Sequence, residues 1–256
     1  MKKIELQLDE QASSNYFVRE AFNSLRANIL FLQKEIKTIV ITSCLAHEGK
    51  SSVCFDLCKN LAEAGKRILL VDADLRKSVM VSRITKERGI TGLSQLLSGQ
   101  VSMEDVIYHT QLTGLDIIFA GPYPPNPTEL VGNAEFKALI KSQRERYDYV
   151  LVDAAPLGLV IDAAVMASVC DGAVMVVNMG HVKYRVAQNV KEQLEKSGCR
   201  LLGVVLNQVD RKKGAGSKSD AYYKSYESGY YGAHGPTGNA QRPAKPGVGI
   251  NPSLKK

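Results

Sequence analysis

A doubly wound α/β fold, with a mostly parallel sheet flanked by helices, is what this 256-residue chain predicts, and three observations carry the prediction. Six short, nearly continuous apolar runs rich in β-branched residues recur between residues 38 and 206. Such runs mark strands buried on both faces, as parallel strands are. Segments of helical character separate them, and strand–helix alternation builds a doubly wound sheet. At 45% apolar residues the chain can bury a core.

In chain order, Phe17, Ala21, Leu25, Ile29 and Leu32 recur at helical spacing, so residues 15–34 are expected to form an amphipathic helix. The first strand run is Thr38-Ile39-Val40-Ile41. Residues 51–64 read as a helix stopped by Gly65. Further strand runs fall at residues 68–71, 115–119, 149–152, 173–177 and 201–206. Residues 163–169 read as a helix with Asp162 as its N-cap. No internal repeat is visible.

Composition narrows the function classes. No run of eighteen or more apolar residues predicts a membrane span, and the polar, acidic continuation of Met1-Lys2-Lys3-Ile4-Glu5 does not read as a signal peptide. The five cysteines, Cys44, Cys54, Cys58, Cys170 and Cys199, are odd in number and show no CxxC spacing; they read as reduced thiols of a cytosolic protein. No histidine pairs with a cysteine at zinc-ligand spacing. The net charge of +7 lies wholly beyond residue 210, where nine Lys/Arg meet two Asp/Glu; the rest carries 24 of each sign. A neutral body with a basic tail points to an interaction segment and not to a specific nucleic-acid surface.

That tail, residues 211–256, holds eight of the 21 glycines, four of the nine prolines and no Phe. It is expected to be disordered, because it cannot bury enough apolar surface to offset its ordering entropy. Five of the eleven tyrosines sit in it: Tyr222, Tyr223, Tyr226, Tyr230 and Tyr231. Composition alone leaves open whether they stack and adhere or take part in chemistry. Arg211-Lys212-Lys213 reads as a solubilising linker.

The first strand runs into Ser43-Cys44-Leu45-Ala46-His47-Glu48-Gly49-Lys50-Ser51-Ser52 and then a helix, the context of a Walker A phosphate loop. Loop N–H groups and the helix N-terminus converge on phosphates there. Ser43, Glu48, Gly49, Lys50, Ser51 and Ser52 are the candidate ATP-binding residues, with Lys50 reaching the β/γ-phosphates and the Ser51 hydroxyl on Mg²⁺. Cys44 stands where the motif's first glycine would be. Asp72 and Asp74 end the next strand run and Asp153 ends a later one. Ligands of open α/β sheets bind at the carboxyl ends of strands, so these carboxylates should converge on the loop. Asp153 fits a Walker B role on Mg²⁺, and Asp72 could accept a proton or orient water while also facing the metal. Cys54 and Cys58, one turn apart on the loop helix, read as small core residues. Arg76 and Lys77 could touch phosphates or simply be solvated.

Leu69-Leu70-Val71-Asp72-Ala73-Asp74-Leu75-Arg76-Lys77 resembles the Walker A′ motif of bacterial tyrosine kinases (BY-kinases), P-loop kinases of capsule and exopolysaccharide systems. Residues 20–29, with Glu20 and Arg26, resemble their N-terminal oligomerisation helix. Residues 92–99 and 121–130 resemble their middle segments, and Gly203-Val204-Val205-Leu206-Asn207 the strand whose Asn207 contacts adenine. The resemblance implies an oligomerisation region at 1–36, a kinase domain at 37–210 and a tail at 211–256. It implies transfer of the ATP γ-phosphoryl to tail tyrosines of a neighbouring copy within a ring-forming homo-oligomer. Lys50, Asp72, Asp74 and Asp153 would be catalytic, with Asp72 as base. It further implies a separate membrane-embedded activator or chain-length regulator, a phosphotyrosine phosphatase as a partner, and a cytoplasmic location at the inner face of the membrane.

Three positions depart from the family pattern. His47 replaces a loop glycine, where a side chain restricts positive φ. Ala154-Ala155-Pro156 replaces Thr-Pro-Pro, removing a hydroxyl near the metal. Asn23 replaces the first arginine of the oligomerisation motif. Two other readings compete: a partition or septum-placement ATPase, which would carry a signature lysine where Leu45 stands, and a catalytically weak, nucleotide-dependent assembly subunit.

Overall fold

The computed structural model describes residues 2–7 and 16–209. The expected tail, with its five tyrosines, lies outside the described residues. In chain order the elements are β1 (Lys2–Ile4), α1 (Tyr16–Leu30), β2 (Thr38–Ser43), α2 (Lys50–Glu63), β3 (Ile68–Asp72), α3 (Met80–Ile84), α4 (Leu93–Leu97), β4 (Ile107–Thr110), β5 (Leu115–Ile118), α5 (Pro127–Gly132), α6 (Ala134–Arg146), β6 (Tyr149–Asp153), α7 (Asp162–Ala167), β7 (Gly172–Asn178), α8 (Tyr184–Lys196) and β8 (Leu201–Asn207).

The strands form one eight-stranded sheet in the order β1-β4-β5-β3-β6-β2-β7-β8, and every pairing is parallel except β4 with β5. Side chains alternate between the faces of a strand, so each run feeds two cores. Val40, Leu69, Val71, Val150 and Val152 face a layer that includes Leu139, Ile140, Met166 and Leu194. Ile39, Ile41, Leu70 and Leu151 face a layer formed by Leu57, Leu61 and Ile29. Helices on both faces explain why the strand runs lack polar alternation.

The six strands legible in the sequence are all present, and two more extend the sheet. The first, β1, is three residues long; β4 is four residues with a half-exposed end. Short, partly polar strands at the sheet's edge and next to it carry too little apolar periodicity to stand out. One expectation is overturned. Asp162 does not cap its helix: the N-cap is Ile161. The Asp162 carboxylate turns instead to Arg76, taking its Nε at 2.7 Å and Nη2 at 3.1 Å, and accepts from Thr128 Oγ1 at 2.7 Å. A buried carboxylate gains more from a paired guanidinium than from a cap. This also pairs Arg76 with a buried carboxylate, while its partly exposed side chain lines the cavity described below.

Candidate active site

The turn from β2 to α2 is fastened from several sides. Cys44 packs into the core, its Sγ 3.7 Å from Met175 Sδ. The chain tolerates a side chain there because it points away from the loop's concave face. The close approach falls on Gly158 instead, where an added Cβ would lie 2.1 Å from the Cys44 carbonyl oxygen. Glu48 is buried, and its carboxylate accepts from the N–H groups of Leu45 (2.6 Å) and Asn178 (2.9 Å). It therefore braces the loop against the end of β7. Ser43 is buried and its hydroxyl donates to the Leu45 carbonyl at 2.8 Å. Gly49 sits at φ 84°, the left-handed region that favours glycine, and an added Cβ would lie 2.2 Å from Asn207 Nδ2. That amide donates to the Glu48 carbonyl at 2.9 Å, so Asn207 comes to the loop from the end of β8.

His47 adopts φ 64° despite its side chain, and Gln208 adopts φ 54°; they are the two non-glycine residues with positive φ among the described residues. The strain costs roughly 1–2 kcal/mol per residue. The two strained residues brace each other, for Gln208 Nε2 donates to the His47 carbonyl at 3.2 Å and Gln208 Oε1 accepts from Asn178 Nδ2 at 2.6 Å. His47 itself is exposed on the loop rim.

The carboxylates converge as the strand ends predict. Asp72 and Asp153 are direct neighbours across the β3–β6 ladder. Lys50 Nζ lies 3.0 Å from Asp74 Oδ2, 3.4 Å from Asp153 Oδ1 and 3.1 Å from Ser51 Oγ. Burial alone would lower the Lys50 pKa, but the charges of Asp153 and Asp74 outweigh it and hold the ammonium form. Asp74 Oδ1 also accepts the Lys77 N–H at 3.0 Å, which fixes the turn after β3. Asp72 is fully buried. Burial first, then repulsion from Asp153, pushes its pKa up to about 7, against the pull of the Ser78 hydrogen bond and of Lys50. Burial likewise raises Asp153.

Asp72 Oδ2 accepts the Ser78 hydroxyl at 2.5 Å and the Ala120 N–H at 3.4 Å; Asp72 Oδ1 has no partner among the described residues. Ala120 is held in place by the two glycine-bounded middle segments. Ser94 N–H donates to its carbonyl at 2.9 Å, and Gly92 and Gly121 pack so closely that a Cβ on Gly92 would lie 2.3 Å from Gly121 N. A cavity of about 500 Å³ opens over this cluster, lined by Gly49, Lys50, Ser51, Ser52, Asp74 and Pro156 among others. The Ser52 hydroxyl meets the Arg83 guanidinium at its edge.

The structure thus brings Ser43, Glu48, Gly49, Lys50, Ser51, Ser52, Asp72, Asp74, Asp153 and Asn207 into one neighbourhood. Two of the expected oligomerisation residues lie apart on α1. Glu20 is exposed and accepts from Asn23 Nδ2 at 2.9 Å; Arg26 reaches the Asn60 carbonyl of α2 at 3.4 Å. Sequence reasoning missed Ser78, Asn178, Gly158 and Arg83. For Ser78 a signal existed: it is the one hydroxyl between Asp72 and Met80. The others reach the site only through tertiary packing. Cys54 and Cys58 are buried and free, as core residues should be.

The AAA domain family matches residues 36–197. The tyrosine-protein kinase CpsD of Streptococcus agalactiae is 40% identical over 210 residues, covering 82% of this chain and 91% of that protein. The chain belongs to the bacterial tyrosine kinase family. Among solved structures, the chimerical protein CapA2B2 superposes with a TM-score of 0.72 at 30% identity, over 82% of this chain and 95% of that one. The septum site-determining protein MinD of Pyrococcus horikoshii, complexed with Mg-ADP, superposes at 0.59 with 27% identity, over 69% and 72%. Its likeness places this BY-kinase in the wider class of P-loop NTPases. No described helix is long and apolar enough to cross a membrane.

Proposed function

We propose that this BY-kinase is an autokinase that moves the γ-phosphoryl of ATP onto Tyr222, Tyr223, Tyr226, Tyr230 and Tyr231 of a neighbouring copy, with Asp72 as the base. The observation that carries the reading is the Asp72 carboxylate, buried at the end of β3 beside Lys50 and Asp153, with one oxygen already receiving a hydroxyl and the other without a partner.

A base must reach its proton and titrate near the working pH; the Asp72 value of about 7 supports the second requirement, and its position at the end of β3 beside Lys50 supports the first. Lys50 leaves its carboxylate partners to meet the β/γ-phosphates, while Gly49 and the N–H groups opening α2 surround them. Asn207, at the loop's outer side, is the residue for the adenine. The donor set fits Mg²⁺, since the Ser51 hydroxyl, Asp153 and the unpartnered Asp72 Oδ1 are hard oxygen donors. Mg²⁺, when bound, neutralises phosphate charge as it builds during transfer. Ala154 is buried and offers no further hydroxyl.

In this reading the copies form a ring through α1, with Glu20 and Arg26 at the contacts. A membrane-embedded activator, acting also as chain-length regulator, holds the ring at the cytoplasmic face of the membrane, and a phosphatase resets the tail. Capsule or exopolysaccharide export is the pathway served. The partition-ATPase alternative finds no support at its signature position. Leu45 stands there, packed partly against the core, with its N–H on Glu48.

The test is a phosphosite map of the purified chain with Mg-ATP, with and without the membrane activator. Phosphotyrosine should appear on the tail and vanish in Lys50→Met. With all five tail tyrosines changed to Phe, tyrosine phosphate should be lost while ATP still binds. Absence of phosphotyrosine under both conditions refutes the proposal.

A further inference from the structure

The exposed hydroxyl on the base is not explained by tyrosine transfer. Ser78 lies in the turn between β3 and α3, six residues after Asp72, and its side chain is solvent-exposed while Asp72 is fully buried. Its O–H donates to Asp72 Oδ2 at 2.5 Å, and its oxygen accepts the Met80 N–H at 3.2 Å. A serine oxygen has two lone pairs. Met80 engages one, and the other is left for attack. The residues on either side, Lys77 and Val79, line the same cavity as Lys50 and Ser51. A hydroxyl bound to a carboxylate, between two residues that line this cavity, has the disposition of an acceptor.

We propose that Ser78 is a phosphorylation site of this chain, modified within the same subunit by its own active site; this rests on the kinase reading above. Ser78 Oγ forms a bond to the γ-phosphorus of ATP. The bond from that phosphorus to the β–γ bridging oxygen breaks, ADP departs with the electron pair, and the hydroxyl proton passes to Asp72 Oδ2. A tail tyrosine that uses Asp72 must first displace the Ser78 hydroxyl, so the two acceptors compete for one carboxylate oxygen. Arg83, which pairs with Ser52 and with no carboxylate among the described residues, stands on the same rim to meet a phosphate.

The full-length variant with all five tail tyrosines changed to Phe provides the test, beside the unchanged chain, both incubated with Mg-ATP and mapped by mass spectrometry. The expected result is phosphoserine at Ser78 in the five-Phe variant, at a rate per chain unchanged by dilution, and lost when Lys50→Met is added. Phosphotyrosine on the unchanged chain with no phosphate at Ser78 in either protein overturns this inference and leaves the kinase reading standing. Phosphate on neither, both with and without the membrane activator, overturns both. A rate that rises in proportion to protein concentration overturns the within-subunit assignment. A second readout needs no nucleotide: Ser78→Ala should shift the Asp72 side-chain carboxyl ¹³C resonance, and an unmoved resonance removes the geometric basis.

Discussion

Replacing Asp72 with Asn should make the free protein more stable at neutral pH while destroying its transfer activity. The Asp72 carboxyl rises from 3.8 to about 7 in the folded chain because burial and Asp153 both oppose its charge. A raised carboxyl keeps in the folded state a proton that the unfolded chain has already lost. Stability from this group is therefore complete below about pH 4 and falls as pH rises to about 7, then levels. A gap of about 3 units, at ~1.4 kcal/mol each, amounts to about 4 kcal/mol in all. Roughly 2–3 kcal/mol of it falls between pH 5 and pH 8. The Asn variant carries no charge there, so its stability should not show this fall. The chain has no Trp, so urea unfolding is followed by far-UV circular dichroism, on both proteins, without nucleotide or Mg²⁺. The difference between the two midpoint-derived stabilities should widen toward pH 8 in favour of Asn. Transfer should drop by about 10²–10⁴-fold, the usual weight of a positioned base. Stability curves that run parallel from pH 5 to pH 8 would refute the claim that Asp72 is held protonated by its surroundings.

Lys50→Met should cut phosphoryl transfer by at least about 10²-fold, measured as initial phosphotyrosine rate. It also leaves buried Asp74 and Asp153 without their cation, so a lowered melting temperature should accompany it. Gly49→Ala should cost at least about 1–2 kcal/mol from its positive φ, with an added penalty from the clash on Asn207, and weaken nucleotide binding in calorimetry. Arg76→Ala should destabilise the fold by about 3 kcal/mol, because Asp162 is buried and loses its partner; thermal melts check this, and Lys at the same position should restore little, lacking the two-pronged fork.

Much of the architecture could be read from local pattern. Continuous apolar runs such as Leu69-Leu70-Val71 place strands, and the aspartates that follow them fall on one sheet edge because all these strands run the same way. What escaped reading depends on contacts between distant residues. The Asp162 carboxylate looks like a cap until Arg76, 86 residues away, is seen to claim it. Cys44 looks like a defective glycine until its side chain is found in the core and the tight approach is found on Gly158. Glu48 reads as a phosphate-loop residue, yet its carboxylate faces inward to Asn178. His47 shows the limit of a steric rule: the left-handed backbone that favours glycine is kept, because Gln208 binds its carbonyl.

Asn207 and Gln208 have a second significance, which concerns mechanics. They are almost the last described residues before the tyrosine segment begins, and both hydrogen-bond to carbonyls of the phosphate loop, at Glu48 and His47. Each bond contributes only about 1 kcal/mol, and each yields to a modest pull. The C-terminal end of β8 and the turn from β2 to α2 are thus joined mechanically: a displacement at either end strains the same two bonds.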